Sequence, residues 1–319
     1  MCQSTGVPDQ SESRMSVPHT RSTASAGMVW ACLYVITLCL PSESMGSSSV
    51  DICQDPPSET QLAIAYYLHE NSSFEGSTGA TNRAEYSSDL LLQLGGKWAV
   101  GVGHRSNILN VDDLVLQTNG YLHTFFFPMQ MAKHNGERSF RLSIAPALSG
   151  SSNVVKDPKE YTKDAFQMLA AMVWTKPLSN RLSLSYGVCG DHRLGGYKVY
   201  PVVGVDWWPR SDWRVELGFP VSQLNYDVTK TLGLFLRVSP NGGAWYVKSK
   251  NLDQASTFVY EAYVLESALS WQLHKDFRLT ASVAREFDSR YKVTLVDGSR
   301  VQLSSESAGR VGIALAWDF

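Results

Sequence analysis

The final nine residues, Val311-Gly-Ile-Ala-Leu-Ala-Trp-Asp-Phe319, narrow the choice of fold more than any other stretch of the chain. Val311, Ile313, Leu315, Trp317 and Phe319 share one parity, whereas Gly312, Ala314, Ala316 and Asp318 share the other. Successive side chains of a β-strand point to opposite faces. The segment therefore reads as a strand with one bulky apolar face, ending in aromatics, and one small or polar face.

The pattern recurs upstream. Phe140, Leu142, Ile144 and Leu148 oppose Arg141, Ser143, Ala145 and Ala147; Leu182, Leu184, Tyr186 and Val188 oppose Arg181, Ser183, Ser185 and Gly187. Trp213, Val215, Leu217 and Phe219 oppose Arg214, Glu216 and Gly218, and Phe277 to Val283 oppose Arg278 to Glu286 in the same way. Four units repeat a strand, a short polar turn and a returning strand: Trp174–Leu184, Trp208–Leu217, Tyr226–Leu234 and Trp271–Ala281. Between them lie longer polar connections at 70–85, 105–119, 149–163, 240–256 and 288–305. Short turns at one end and long connections at the other predict an all-β, antiparallel up-and-down transmembrane barrel of about 12–14 strands. Pro220 and Gly242-Gly243 leave the strand count soft between Pro220 and Lys250. A soluble sandwich with one wet face also alternates, so a soluble exported binding module stands as another reading.

Composition excludes some classes. With 18% charged residues and a formal net charge of -2, the chain is not a nucleic-acid-binding polycation. After Gln54 no run approaches the roughly 20 apolar residues of a membrane helix. The apolar run Met28–Leu40, after Arg21 and before Pro41, has the length of a secretory h-region, and Ser44 and Gly46 suit cleavage near residues 44–47. The expected organisation is an N-terminal extension and signal peptide at 1–46, a periplasmic segment at 47–60 and the barrel at 61–319. Met1, Met15 and Met28 are alternative starts. Export leaves Cys53 and Cys189, one expected before the first strand and one near the far end of a later strand. A wall about 25 Å tall would hold them apart, so free thiols are expected.

The closing strand resembles that of bacterial outer-membrane barrels. The resemblance implies that Val311, Ile313, Leu315, Trp317 and Phe319 form the assembly signal read by the barrel-assembly machinery, with Trp317 and Phe319 in the periplasmic aromatic girdle. With Tyr200-Pro-Val-Val-Gly-Val-Asp206 and Arg214-Val-Glu-Leu-Gly-Phe-Pro220, roughly Gln61 to Phe319 resembles a family of uncharacterised Gram-negative outer-membrane β-barrels, a domain of unknown function. The resemblance implies a fold, an outer-membrane location and contact with its lipids; it implies no activity.

Two constellations could carry function. Arg181, Arg214 and Arg278 open up-strands, and Asp206 and Asp318 end down-strands, so all five are expected on the inner face near the periplasmic mouth. They are either ion pairs sealing the lumen or a constriction selecting small solutes. The second is His104-Arg-Ser106-Asn107, which resembles the catalytic motif of outer-membrane phospholipases and lipid A deacylases, although Ile108 stands where those enzymes have Gly or Ala. On that reading His104 is the base, Ser106 the nucleophile, and Glu85 or Asn119 the group orienting the imidazole. His69, His134 and His192 lack metal-ligand spacing, and no cofactor is expected. A narrow passive pore or structural barrel is thus the leading reading, a lipid hydrolase the alternative.

Overall fold

Alternation at period two becomes a single closed sheet. The structure, a computed structural model, describes residues 52–53 and 60–319 except 77, 96, 113–117, 136–137, 250–253 and 296–297. The expected signal peptide and most of the 47–60 segment lie outside the described residues. Fourteen strands follow in chain order. They are β1 (Gln61–His69, resuming at Ser72–Ser73), β2 (Ala80–Leu94), β3 (Trp98–Asp112), β4 (Thr118–Phe126 and Met129–Asn135) and β5 (Arg138–Ser151). A short helix, α1 (Ser152–Lys156), precedes β6 (Phe166–Ser179), β7 (Leu182–Asp191), β8 (Lys198–Arg210), β9 (Trp213–Phe219) and β10 (Ser222–Asp227). Then come β11 (Leu232–Ser249), β12 (Gln254–His274), β13 (Phe277–Leu295) and β14 (Arg300–Ser305 and Ala308–Asp318). Each strand pairs antiparallel with the next, and β14 returns to β1 from Gln61↔Asp318 to His69↔Arg310. All four turn units of the sequence are hairpins.

The two faces sort as the parity demands. Ile313, Leu315, Trp317, Leu217, Val203, Met168 and Trp98 are exposed on the outside, while Asp89, Ser143, Ser270, Arg310 and Glu286 are buried within. That partition is the reverse of a water-soluble core and fits a wall facing hydrocarbon. At the short-turn end Phe140–Trp174, Trp174–Tyr186, Trp213–Tyr226 and Phe277–Trp317 form ring pairs with centroids 4.7–5.9 Å apart, placing aromatics at one rim.

At the other end the structure departs from expectation. Much of the polar stretches 70–85, 105–119, 240–256 and 288–305 is strand rather than loop. Here the outer face meets water, so only the inner face remains apolar, and the sequence looks polar although it is regular. The long β11–β13 ribbon bends across the mouth. Tyr246 pairs with Gly150 of β5, Ser149 Oγ donates to the Ala244 carbonyl at 2.7 Å, and Trp245 Nε1 donates to Thr124 Oγ1 at 3.1 Å. Beneath the ribbon, Trp245, Phe258, Tyr260, Tyr291 and Val293 pack on Leu109, Val111 and Leu122. A bulge at Asp288, with φ at +53°, moves β13 from even to odd inward parity, which brings Tyr291 and Val293 into this cluster.

Below it a carboxylate knot ties five strands together. Glu286 Oε1 accepts from Arg83 Nη2 at 2.7 Å and Asn241 Nδ2 at 3.0 Å. Its Oε2 accepts from Tyr260 OH at 2.9 Å and faces His69 Nδ1 at 3.1 Å. The Arg83 guanidinium also lies 4.0 Å over the Tyr260 ring. A buried charge is tolerable only when so paired.

The cysteines overturn the free-thiol expectation. Cys53 and Cys189 are disulfide-bonded, with Cα atoms 5.9 Å apart. The height of the wall does not separate them, because Ile52 and Cys53 lie inside the lumen, buried among Ala145, Ala171, Val173 and Tyr200. The Arg141 guanidinium donates to the Ile52 and Cys53 carbonyls at 3.4 and 3.0 Å.

Two outcomes are expected. Glu286→Ala leaves Arg83 buried and uncompensated and lowers unfolding free energy by about 3–5 kcal/mol, measured by urea titration in detergent micelles; an unchanged midpoint refutes the knot. Non-reducing peptide mapping recovers the Cys53 and Cys189 peptides as one linked species, and two separate thiol peptides refute the tether.

Candidate functional site

The lumen narrows to a chamber between the Ile52–Cys53 tether and the β11–β13 ribbon. About 1320 Å³ of empty space, including the part open to solvent, is lined by five arginines: Arg83, Arg105, Arg193, Arg237 and Arg310. Arg83, Arg105, Arg237 and Arg310 come from four different strands, each at an inward position, and Arg193 comes from the β7–β8 connection, so parity and register converge them on one volume. Glu85, Asp191 and Glu266 share the lining, with Glu286 behind Arg83.

These charges are organised. Arg310 pairs with Glu266 at 3.2 Å and lies 4.3 Å over the Tyr67 ring. Arg193 Nε pairs with Asp191 at 2.6 Å, and Tyr200 OH donates to the same carboxylate at 2.8 Å. Arg105 sits 5.2 Å over Phe126. Planar guanidinium groups suit such a chamber because they stack on rings and are weakly hydrated. The arrangement offers fixed charges of both signs to a passing solute, with arginines outnumbering carboxylates.

The chamber meets a gap in the wall. Strands β9 and β10 hold only seven and six residues. Their pairing starts at Val203↔Phe219 and Ser222↔Val238. Among the described residues, Lys198–Val202 of β8 and Ser239–Trp245 of β11 therefore lack strand partners on the sides facing each other. Pro201, Pro220 and Pro240 stand around this gap, where a missing N–H is tolerated. The β7–β8 connection fills part of it. Gly242 lies so close to that connection that a β-carbon there would stand 2.6 Å from the Arg193 carbonyl oxygen. A second hollow, about 600 Å³ of empty space including the part open to solvent, is lined by Cys53, Asp206 and Arg214 on the inside and by Val203, Leu217 and Phe219 on the outside.

The expected charge belt lies lower. Arg214 pairs with Asp206 at 3.4 Å and Glu216 at 3.1 Å; Arg278 pairs with Asp318 at 3.3 Å, and Gln61 Nε2 donates to Asp318 at 2.6 Å. Arg181 is not in this group: it is exposed in the β6–β7 turn and donates to the Pro209 carbonyl at 3.3 Å. Val311, Ile313, Leu315, Trp317 and Phe319 all face outward on β14 and are exposed. Among the described residues Cys53, Cys189 and Asp191 are the one group with metal-ligand spacing, and the two sulfurs are bonded to each other.

The hydrolase residues are divided between faces. His104 and Ser106 face outward, whereas Glu85 faces the chamber and cannot orient His104. His104 Nε2 is hydrogen-bonded to His123 Nδ1 at 3.2 Å, and Ser106 is 8% exposed. Of the knot residues, Arg83 and Tyr260 were not singled out from sequence, and His69 was set aside for lacking metal-ligand spacing; the available signal was charge at inward parity on both sides of the closing seam.

No curated protein matches this chain. Among solved structures it is similar to the TodX monoaromatic hydrocarbon channel deltaS2 mutant, at 12% identity over 83% of this chain and 91% of that one, with a TM-score of 0.44. It is also similar to the COG4313 outer membrane channel from Pseudomonas putida F1, at 10% identity over 85% and 100%, with a TM-score of 0.43. A third is the KdgM porin, at 10% identity over 81% and 99%, with a TM-score of 0.32. A family model described as a domain of unknown function (DUF6268) matches residues 133–295, just over half of the chain, and the protein belongs to that family.

Proposed function

We propose that this protein is a narrow outer-membrane channel for small solutes, with the arginine-lined chamber as its selective element. The observation that carries the reading is that chamber: a polar, charged volume inside a closed barrel whose outer face is apolar. Eight-stranded barrels are filled by their own side chains, whereas barrels of 16–18 strands leave an aqueous channel. Fourteen strands fall between, so what occupies the lumen decides the bore. Here the tethered Ile52–Cys53 segment narrows it from below and the β11–β13 ribbon covers it from above. The gap beside β9 and β10 then serves as the lateral mouth. In a low-dielectric wall the fixed charges act strongly on an ion in transit, and the arginine excess favours anions.

The leader at 1–46 exports the chain and is removed near residues 44–47. The exposed apolar parity of β14 presents Val311 to Phe319 to the assembly machinery, after which the outer face rests in lipid.

Planar-bilayer recordings test the reading. Wild-type protein gives small, anion-preferring events; Cys53→Ser frees the tether and raises unitary conductance several-fold. Arg214→Ser combined with Arg278→Ser changes conductance or selectivity by removing the lower belt's cations. Silence in wild type and in Cys53→Ser alike ends the channel reading.

A further inference from the structure

The register of three strands builds a hydrogen-bonded relay on the outside of the wall. His104 pairs with Phe125 across β3–β4, and His123 pairs with Gly150 across β4–β5. Residues displaced by two from a cross-strand partner share its face and lie diagonally adjacent. His104 therefore neighbours His123, and His123 neighbours Ser152, the first residue of α1. The contacts are made: His123 Nε2 lies 2.8 Å from Ser152 Oγ, and His123 Nδ1 lies 3.2 Å from His104 Nε2. His104 is held by stacking on Phe125, with centroids 4.4 Å apart at 16°.

We propose that Ser152 is a nucleophile, His123 its general base and His104 the positioning residue of a hydrolase acting on acyl esters of membrane lipids. The proposal is independent of the channel, because all three side chains face away from the lumen. A hydroxyl within hydrogen-bond reach of an imidazole, itself oriented by a third group, is the arrangement acyl-transfer chemistry requires. Polarity fits: with the proton on Nδ1, His123 donates to His104 and offers Nε2 to the serine hydroxyl.

Position selects the substrate. Along the outer face of β5 the apolar run Phe140, Leu142, Ile144, Pro146 and Leu148 gives way to Gly150 and Ser152. At roughly 3.3 Å per residue and a tilt of about 40°, Ser152 stands about 30 Å above Phe140. That is the upper edge of an apolar band about 25 Å tall, where lipid ester carbonyls lie. The exposed ring of Phe127 lies on the acyl side, and that of Tyr121 stands level with Ser152. Lys156, one helical turn after Ser152 and within electrostatic reach of His123, suits the anionic headgroup.

The step balances without a co-reactant other than water. Ser152 Oγ bonds to the ester carbonyl carbon while its proton passes to His123 Nε2. The ester C–O bond breaks and the departing alcohol oxygen takes that proton. Water then attacks the acyl-serine, its proton passing through His123 back to Ser152 Oγ, and a fatty acid leaves.

The test uses the full chain refolded in mixed micelles containing either phosphatidylethanolamine or lipid A, the two arms identifying the lipid. A fluorophosphonate probe and free fatty acid are the readouts. Ser152 is expected to carry the label. Ser152→Ala and His123→Gln lower release by at least about 100-fold, with heat-modifiable folding intact. His104→Gln lowers kcat with KM unchanged and alters the pH profile, while Ser106→Ala changes nothing. Absence of release from both lipids, label on another serine, or release that survives Ser152→Ala overturns the proposal. Conductance is unaffected by these variants, so failure here leaves the channel reading untouched.

Discussion

Closure of β14 onto β1 is the constraint on which everything else rests. A strand edge exposed to hydrocarbon leaves N–H and C=O groups with no partner, at several kcal/mol each. The nine-residue pairing from Gln61↔Asp318 to His69↔Arg310 removes that edge. It also brings the small residues Ala63, Ala65, Ala314 and Ala316 together on the inner face, all buried. Large side chains from elsewhere can then project into the lumen, and Tyr67 and Arg310 meet beside this seam.

Once the wall is closed and apolar outside, polar groups collect within and must satisfy one another. The molecule does this with linked clusters rather than isolated pairs. Around Glu286, strands β1, β2, β11 and β12 each send a donor to the β13 carboxylate. Around Asp191, Arg193 and Tyr200 converge beside the disulfide. These clusters place positive and negative groups around a retained volume instead of filling it, which separates this barrel from a packed structural one. The short β9 and β10 add a second departure, since they interrupt the wall where the chamber approaches it.

Features set by local periodicity were readable in the sequence. The parity of Val311–Phe319, the four aromatic-flanked turns and the inward placement of Arg214, Asp206, Arg278 and Asp318 need only neighbouring residues. Features set by long-range geometry were not. The strands beyond the membrane looked like loops because their outer residues are polar and Asp288 shifts the inward parity midway. The disulfide was missed because the segment before β1 was assigned to the periplasm, whereas Cys53 sits within the lumen. His104 and Ser106 are readable as neighbours on one strand, yet His104 bonds across to His123, and Ser152 joins only through the β4–β5 register. No spacing in the sequence encodes that diagonal.

The inverted partition is most directly tested by brominated-lipid quenching of single-tryptophan variants reconstituted into bilayers. Trp98, Trp207 and Trp317 are about half exposed on the outer face, whereas Trp245 is 5% exposed beneath the ribbon. The account predicts strong quenching of the first three and little of Trp245. Equal quenching at all four, or none at Trp98, Trp207 and Trp317, contradicts it.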